Sequence, residues 1–453
     1  MSMSDGTARP WDLEQYGPKA RGRAQRSEGG AAGGRGGGWD GSIPDDARAR
    51  PSYENDGTSL LALAAWTAFL TVITLGLYRF WMITRLRRYY WRAIRIEGDP
   101  LEYTGRGIEK FLGFLIAILL LAIYLGLVNL ALTFLGLSFG SELAVNLSIL
   151  SALPLYFVAA YKARRYVLSR TRWRGIRFGM EPGSGGYAVR ALGLLALTAV
   201  TAGILYPLMH FRLEKYMVDR TWFGDQKFEQ GGSWTGLLAP WVRIYIVAAL
   251  IGIVVWGFVS RPEDPTSQAL AGIAIFGGVI AVMVLLLFYQ VAAFRYLWSE
   301  RRIGEGSGFV NDVSSWSVLG IYAGGSMLVG LLSSLVAALL AVAGGALLFQ
   351  LAGLDLASLG VMAEAAGAGD PTPVMALGVP LLIGLVLFYV VLAAAAYAFA
   401  QVFIRQPLIR RMAERMTILN PRPLRESRQR AHDPAAEAGG FAEALGVDVG
   451  AGL

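Results

Sequence analysis

Along most of the chain, apolar runs alternate with short, strongly basic segments. Eight runs are long enough to be read as membrane helices: 60–81, 111–137, 143–161, 191–210, 241–259, 268–295, 316–349 and 374–404. Phe111–Leu137 carries 27 residues without a charge, enough to cross a bilayer with some tilt. Short polar connections pair 111–137 with 143–161 and 241–259 with 268–295, and the longer 350–373 pairs the last two runs, giving three helical hairpins. The fold class this pattern predicts is all-α, a polytopic helical membrane protein.

Charge placement sets the expected orientation and exposes a conflict. Eight Arg or Lys lie between Arg79 and Lys110, and eight more between Lys162 and Arg190, whereas the turn near 138–142 has none. Basic loops stay cytoplasmic, so the first hairpin is expected to have both ends inside. If all eight runs cross, the basic loop 162–190 and the loop 211–236 fall on opposite sides. With a cytoplasmic C-terminal tail, the basic loop is then forced outside. The conflict disappears if 191–210, and by its similarity 60–81, enter without crossing. The prediction is therefore six full spans plus two shallow or re-entrant helices, both termini cytoplasmic, with eight full spans as the alternative. Irregular backbone at membrane depth must be sheltered by protein.

The basic segments themselves repeat. Arg85–Tyr103 (RLRRYYWRAIRIEGDPLEY) is followed by Lys162–Phe178 (KARRYVLSRTRWRGIRF), Arg212–Phe228 (RLEKYMVDRTWFGDQKF) and a weaker copy from Phe294 (FRYLWSERRIGEGSGF). Tyr166 and Tyr216 each have Thr five residues later and Phe twelve residues later. The third copy carries Glu214-Lys215 where the others have Arg pairs. Arginine and aromatic residues bordering apolar runs suit lipid phosphates and headgroups, at about 1 kcal/mol per basic residue. Arg88, Arg92, Arg164, Arg165, Arg172 and Arg174, with Tyr89, Trp91, Tyr166 and Trp173, are the candidate headgroup contacts; topology and anchoring alone are the plainer reading. The implied partners are membrane phospholipids, anionic ones among them, or a membrane or cytoplasmic protein. No nucleic-acid partner is expected.

The segments TLGLYRFWMITRLRRYYWRAIRIEGDPLEYTGRG, YKARRYVLSRTRWRGIRFG and ILYPLMHFRLEKYMVDRTWFGDQKF together resemble the YjgN/DUF898 family of bacterial inner-membrane proteins, over roughly residues 60–310. Tyr89, Arg165, Tyr166, Thr171, Gly175, Phe178, Tyr216, Thr221, Gly224 and Phe228 occupy its recurring positions. The resemblance implies a bacterial cytoplasmic-membrane location and carries no established activity.

Composition narrows the chemistry. The chain is 55% hydrophobic and 16% charged, with a net charge of +8, no cysteine and two histidines. Disulfides and thiolate metal sites are thereby excluded. Neither GSGFVN nor the glycine-rich tail has the Lys-Ser/Thr of a P-loop, no HExxH is present, and His210 lacks an evident nucleophile and orienting acid. No cofactor and no catalysis are expected. Asn129, Asn146, Gln290 and Gln401 read as helix–helix hydrogen-bonding residues. The expected organisation is a disordered cytoplasmic tail (1–57), a repeated membrane domain (58–310), a C-terminal membrane hairpin (311–404) and a basic, then Ala/Gly-rich cytoplasmic tail (405–453). The function expected is a non-enzymatic scaffold or lipid-interacting envelope protein, with a passive or secondary transporter as the alternative.

Overall fold

The computed structural model describes residues 48–55, 59–139, 141–260, 265–304, 306–352, 364 and 378–430. The tails at 1–47 and 431–453 and most of the connection 350–373 lie outside the described residues. The chain divides into two compact units: one is residues 1–54, 91–319 and 410–453, the other 55–90 and 320–409.

Eleven short strands in the first unit overturn the all-α expectation. They are β1 (Arg48–Ala49), β2 (Ser52–Tyr53), β3 (Ile94–Ile96), β4 (Asp99–Tyr103), β5 (Thr171–Trp173), β6 (Ile176–Met180), β7 (Thr221–Phe223), β8 (Gln226–Gln230), β9 (Arg301–Ile303), β10 (Ser307–Asn311) and β11 (Met416–Leu419). They form one antiparallel sheet in the order β1-β11-β10-β9-β8-β7-β6-β5-β4-β3-β2, curled into a half-barrel. The two edge strands are separated in the chain only by Arg50 and Pro51, so one short segment caps both edges and leaves little unpaired backbone.

The fold is thus mixed α/β and not an all-α bundle of six spans with two shallow helices, nor one of eight spans. Five stretches among the described residues are long and apolar enough to cross a bilayer: Gly107–Phe134, Trp234–Val259, Pro265–Ser299, Ser315–Ala346 and Ile383–Glu414. The physical reason is strand length. Each basic segment is a hairpin of a three-residue and a five-residue strand, too short to be stable alone and stable only through pairing with hairpins far away in the sequence.

The helices fill the intervals between strands. In the first unit α3 (Gly107–Phe139) and α4 (Ser141–Ser169) join β4 to β5, α5 (Ser184–Val200) and α6 (Tyr206–Val218) join β6 to β7, and α7 (Leu238–Val259) and α8 (Pro265–Ser299) join β8 to β9. Each excursion leaves the sheet and returns to it. Outward-facing strand positions carry charge, with Glu102 opposite Arg172 and Glu229 opposite Arg302. A sheet with such an exterior belongs in water, so it stands beside the apolar phase rather than in it.

The pair α5–α6 is a short hairpin whose two ends meet. The Tyr216 hydroxyl near the end of α6 donates to the Gly183 carbonyl before α5 at 3.0 Å. Its apex is a left-handed pair, Ala202 (φ 48°) and Gly203 (φ 86°), which ends one helix and reverses the chain. Trp241 Nε1 donates to the Gly203 carbonyl at 3.1 Å and the Tyr245 hydroxyl to the Ala202 carbonyl at 2.6 Å, sheltering the broken backbone.

The second unit repeats that design. Its α1 (Leu60–Ile73) and α2 (Arg79–Ala93, as far as Tyr90) are separated by Leu75 (φ 50°) and Gly76 (φ 90°). Thr71 meets Met82 at 3.6 Å here, as Thr198 meets Met209 at 3.8 Å in α5–α6. The unit also holds most of α9 (Ser315–Ala352), α10 (Gly378–Ala400) and a π-turn at Gln401–Arg405. The Tyr90 hydroxyl donates to Gln401 Oε1 at 2.9 Å, the helix–helix bond expected of a glutamine in an apolar span.

The chain that the sequence assigns to a C-terminal tail is partly ordered. After α11 (Gln406–Glu414) and β11, α12 (Arg422–Glu426) and the residues beyond it cross the hairpin turns. Arg425 Nε donates to Glu97 at 2.8 Å, the Arg428 amide to Asp225 at 3.0 Å, and the Arg177 amide to Gln429 Oε1 at 2.8 Å. This segment covers the turn end of the half-barrel.

Candidate functional site

The repeat determines what faces the inside of the sheet. Tyr89, Tyr166, Tyr216 and Tyr296 each stand five residues before a three-residue strand. The strands' first residues, Ile94, Thr171, Thr221 and Arg301, form one layer of the interior wall. The third residues of the longer strands, Leu101, Phe178, Phe228 and Phe309, form a second. Strand alternation turns the intervening Arg95, Arg172, Lys227 and Arg302 outward. Thr171 and Thr221 return their hydroxyls to the Val167 and Met217 carbonyls at 2.8 and 2.9 Å, closing the last turn of the preceding helix. Arg174-Gly175 (φ 51° and 77°) makes the two-residue turn between β5 and β6, a conformation that suits glycine at its second position.

An ion triad interrupts this apolar interior. Arg164 on α4 donates to both oxygens of Glu214 on α6, at 2.9 and 3.1 Å. Arg301 Nη2 donates to the same carboxylate, and its Nε to Gln230 Oε1 at 3.0 Å. Side-chain exposure is 12% for Arg164, 16% for Glu214 and 6% for Arg301. Burial by itself would raise the Glu214 carboxyl, but the guanidinium of Arg164 and then that of Arg301 hold it at about 2 against an ordinary 4.5. Burial pulls Arg301 down to about 10 against the pull of Glu214, leaving it charged at neutral pH. Two cations thus share one anion.

The sequence-predicted headgroup residues separate into distinct environments. Arg164 is in the triad. Arg165 Nε donates to the Met180 carbonyl at 3.1 Å, and Arg174 pairs with Asp99 and with Glu97. Tyr166 is fully buried and donates to Glu109 at 3.1 Å; Trp173 is 2% exposed inside the sheet. Trp91 Nε1 donates to Thr171 at 3.0 Å, and the Tyr89 hydroxyl is bound to Asn55. Arg172 is half-buried on β5, while Arg88 and Arg92 are exposed on α2.

Arg92 belongs to a set that sequence reasoning had not assembled. Arg106, Arg190, Arg212, Arg243 and Arg295 are also exposed, each on or beside a sheet-side helix end of the first unit. All six lie within about six residues, roughly 9 Å of helical rise, of those ends. Among the described residues no carboxylate pairs with Arg92, Arg106, Arg212, Arg243 or Arg295, while Arg190 stacks on Tyr216 at 4.8 Å. Glu214 and Arg301 were missed as well. The signal for Glu214 was its place in the repeat, since Glu214 and Arg164 each stand two residues before the repeat tyrosine. No group of three or more metal-ligating side chains occurs among the described residues.

Comparisons with curated proteins and with solved structures return no match. Residues 49–362 match the family described as "Bacterial protein of unknown function (DUF898)". That match covers most of the chain, including ten of the eleven strands in whole or part and both broken helical hairpins, and this multi-pass membrane protein belongs to the DUF898 family.

Proposed function

We propose that the protein is a non-enzymatic, anionic-lipid-interacting protein of the bacterial inner membrane, with the sheet on the cytoplasmic side. The observation that carries this reading is the set of exposed arginines at the sheet-side helix ends. Among the described residues no carboxylate neutralises Arg92, Arg106, Arg212, Arg243 or Arg295, and a layer of lipid phosphates at that depth supplies the anions. Excess Arg on this side also favours a cytoplasmic sheet. The transport alternative would draw on the broken helices of α5–α6. The side chains of Trp241 and Tyr245 already occupy the two apex carbonyls, which favours a structural role for that break.

The test is lipid retention. Purified protein is equilibrated with a mixture of phosphatidylglycerol and phosphatidylethanolamine, and the bound lipid is measured by native mass spectrometry. Wild type is expected to enrich the anionic lipid. Replacing Arg106, Arg212, Arg243 and Arg295 with Gln is expected to lower that enrichment by about fivefold for each arginine that holds a phosphate, at about 1 kcal/mol each. Undiminished enrichment in a variant with wild-type thermal unfolding would refute the reading.

A further inference from the structure

The interior of the half-barrel holds a second feature, independent of the arginines at the helix ends. A cavity of about 210 Å³ lies inside the sheet. Its walls are almost wholly apolar and aromatic: Leu101, Phe178, Phe228 and Phe309 come from the repeat layer, with Leu424 of α12 beside them. Arg164 and Arg301 are in the same wall. Their shared partner Glu214 neutralises one positive charge and leaves the other. The adjoining residue of the chain does not change that balance, because Lys215 is held by Asp219 at 3.1 Å and by the Gln230 carbonyl. A net charge held out of water beside an apolar space is costly unless a counter-charge joins it.

A further donor is left over on this wall. Trp173 lines the cavity at 2% exposure, and its indole N–H has no acceptor among the described residues. A buried N–H without a partner costs free energy that a bound acceptor recovers. The cavity therefore combines an apolar body, an uncompensated guanidinium charge and an unused donor. We propose that it binds a monoacyl carboxylate of medium chain length, with the acid head on Arg164 and Arg301 and the chain among Leu101, Phe178, Phe228 and Phe309. A space of about 210 Å³ suits a single chain of medium length rather than a two-chain phospholipid. Charge complementarity selects the acid over an alcohol or an amine.

Trp91, Trp173 and Trp298 surround the space and provide the readout. Protein in nanodiscs is titrated with decanoate carrying a terminal bromine, which quenches nearby tryptophan. Saturable quenching that unlabelled decanoate competes away is expected. Terminally brominated decanol should bind at least about tenfold more weakly, and bromoacetate should give no saturable quenching. Leu101→Phe fills the cavity without touching the charges and should abolish the saturable phase. Arg301→Met should weaken it at least about tenfold. Where Arg301→Met does not fold, the acid–alcohol comparison on wild type and the Leu101→Phe variant decide the matter. Equal quenching by acid and alcohol, a saturable phase that survives Leu101→Phe, or none in wild type would each overturn the proposal. Replacing the helix-end arginines with Gln is expected to leave this quenching unchanged, which separates the two sites.

Discussion

Glu214 stands where the neighbouring repeat has Arg164, and the two side chains meet across α4 and α6. An acid in an arginine position creates an internal counter-ion, to which β9 adds a second arginine, Arg301. Removing one partner of a buried ion pair costs about 3–5 kcal/mol, because the remaining charge stays desolvated. Glu214→Gln leaves two guanidiniums without a carboxylate and is expected to lower stability by that amount, read as a lower Tm in nanodiscs. Acid should have a related effect. The carboxyl is depressed in the fold to about 2 from about 4.5, so its contribution is complete above about pH 4.5 and is lost as pH falls toward 2. The Tm of wild type should therefore fall between pH 5 and pH 3 by more than that of Glu214→Gln; parallel declines would remove Glu214 from the account. At this scale the candidate site was half legible. The departure at Glu214 was visible in the repeat, but its pairing with Arg164 and Arg301 depends on contacts 50 and 87 residues apart in the chain.

At the scale of elements, the left-handed pair is what turns an apolar run into a broken hairpin. TLGLY and TAGIL share Thr and Gly at matching places, and both Thr side chains accept the amide four residues later, Tyr78 to Thr74 at 2.9 Å and Leu205 to Thr201 at 3.4 Å. Gly203 is the sharper test because a Cβ there would lie 2.5 Å from the Tyr245 hydroxyl and would force φ 86° on an L side chain. Gly203→Ala is expected to destabilise by about 1–2 kcal/mol for the backbone alone, with more from displacing Tyr245 off the Ala202 carbonyl. Its Tm should drop below that of Gly252→Ala, a helical glycine whose added Cβ meets nothing within 4 Å. Similar values for both would argue that the apex is slack. Strands were the elements least visible beforehand. Three residues such as Thr171–Trp173 offer one buried–half-buried–buried alternation, which no window distinguishes from the end of a helix.

For the whole molecule, one sheet shared by all the hairpins imposes a topological rule. Loops 171–180 and 221–230 pair directly through β6 and β7, with Phe178 opposite Phe223, so both lie on one side of the membrane. This resolves the conflict between hydropathy and positive charge, since α5–α6 must return to the side it left. The chain has no cysteine, which makes labelling direct. Pro182→Cys and Lys227→Cys are both exposed positions and should react with a membrane-impermeant maleimide from the same side; reaction from opposite sides would break the assignment. The cytoplasmic orientation proposed above is tested in the same experiment, by labelling in inverted but not in right-side-out vesicles.

Local order in the chain determined the membrane class, the long apolar helices, the repeat and the places where helices break. These follow from the solvent preference of contiguous side chains and from backbone requirements within a few residues. Tertiary structure alone decided that the basic repeats are strands of one curled sheet, that Glu214 sits between Arg164 and Arg301, and that no carboxylate among the described residues meets Arg92, Arg106, Arg212, Arg243 or Arg295. The physical reason is shared. A three-residue strand and a buried charge are each defined by what lies opposite, and between hairpins and within the ion triad that partner is more than 40 residues away in sequence.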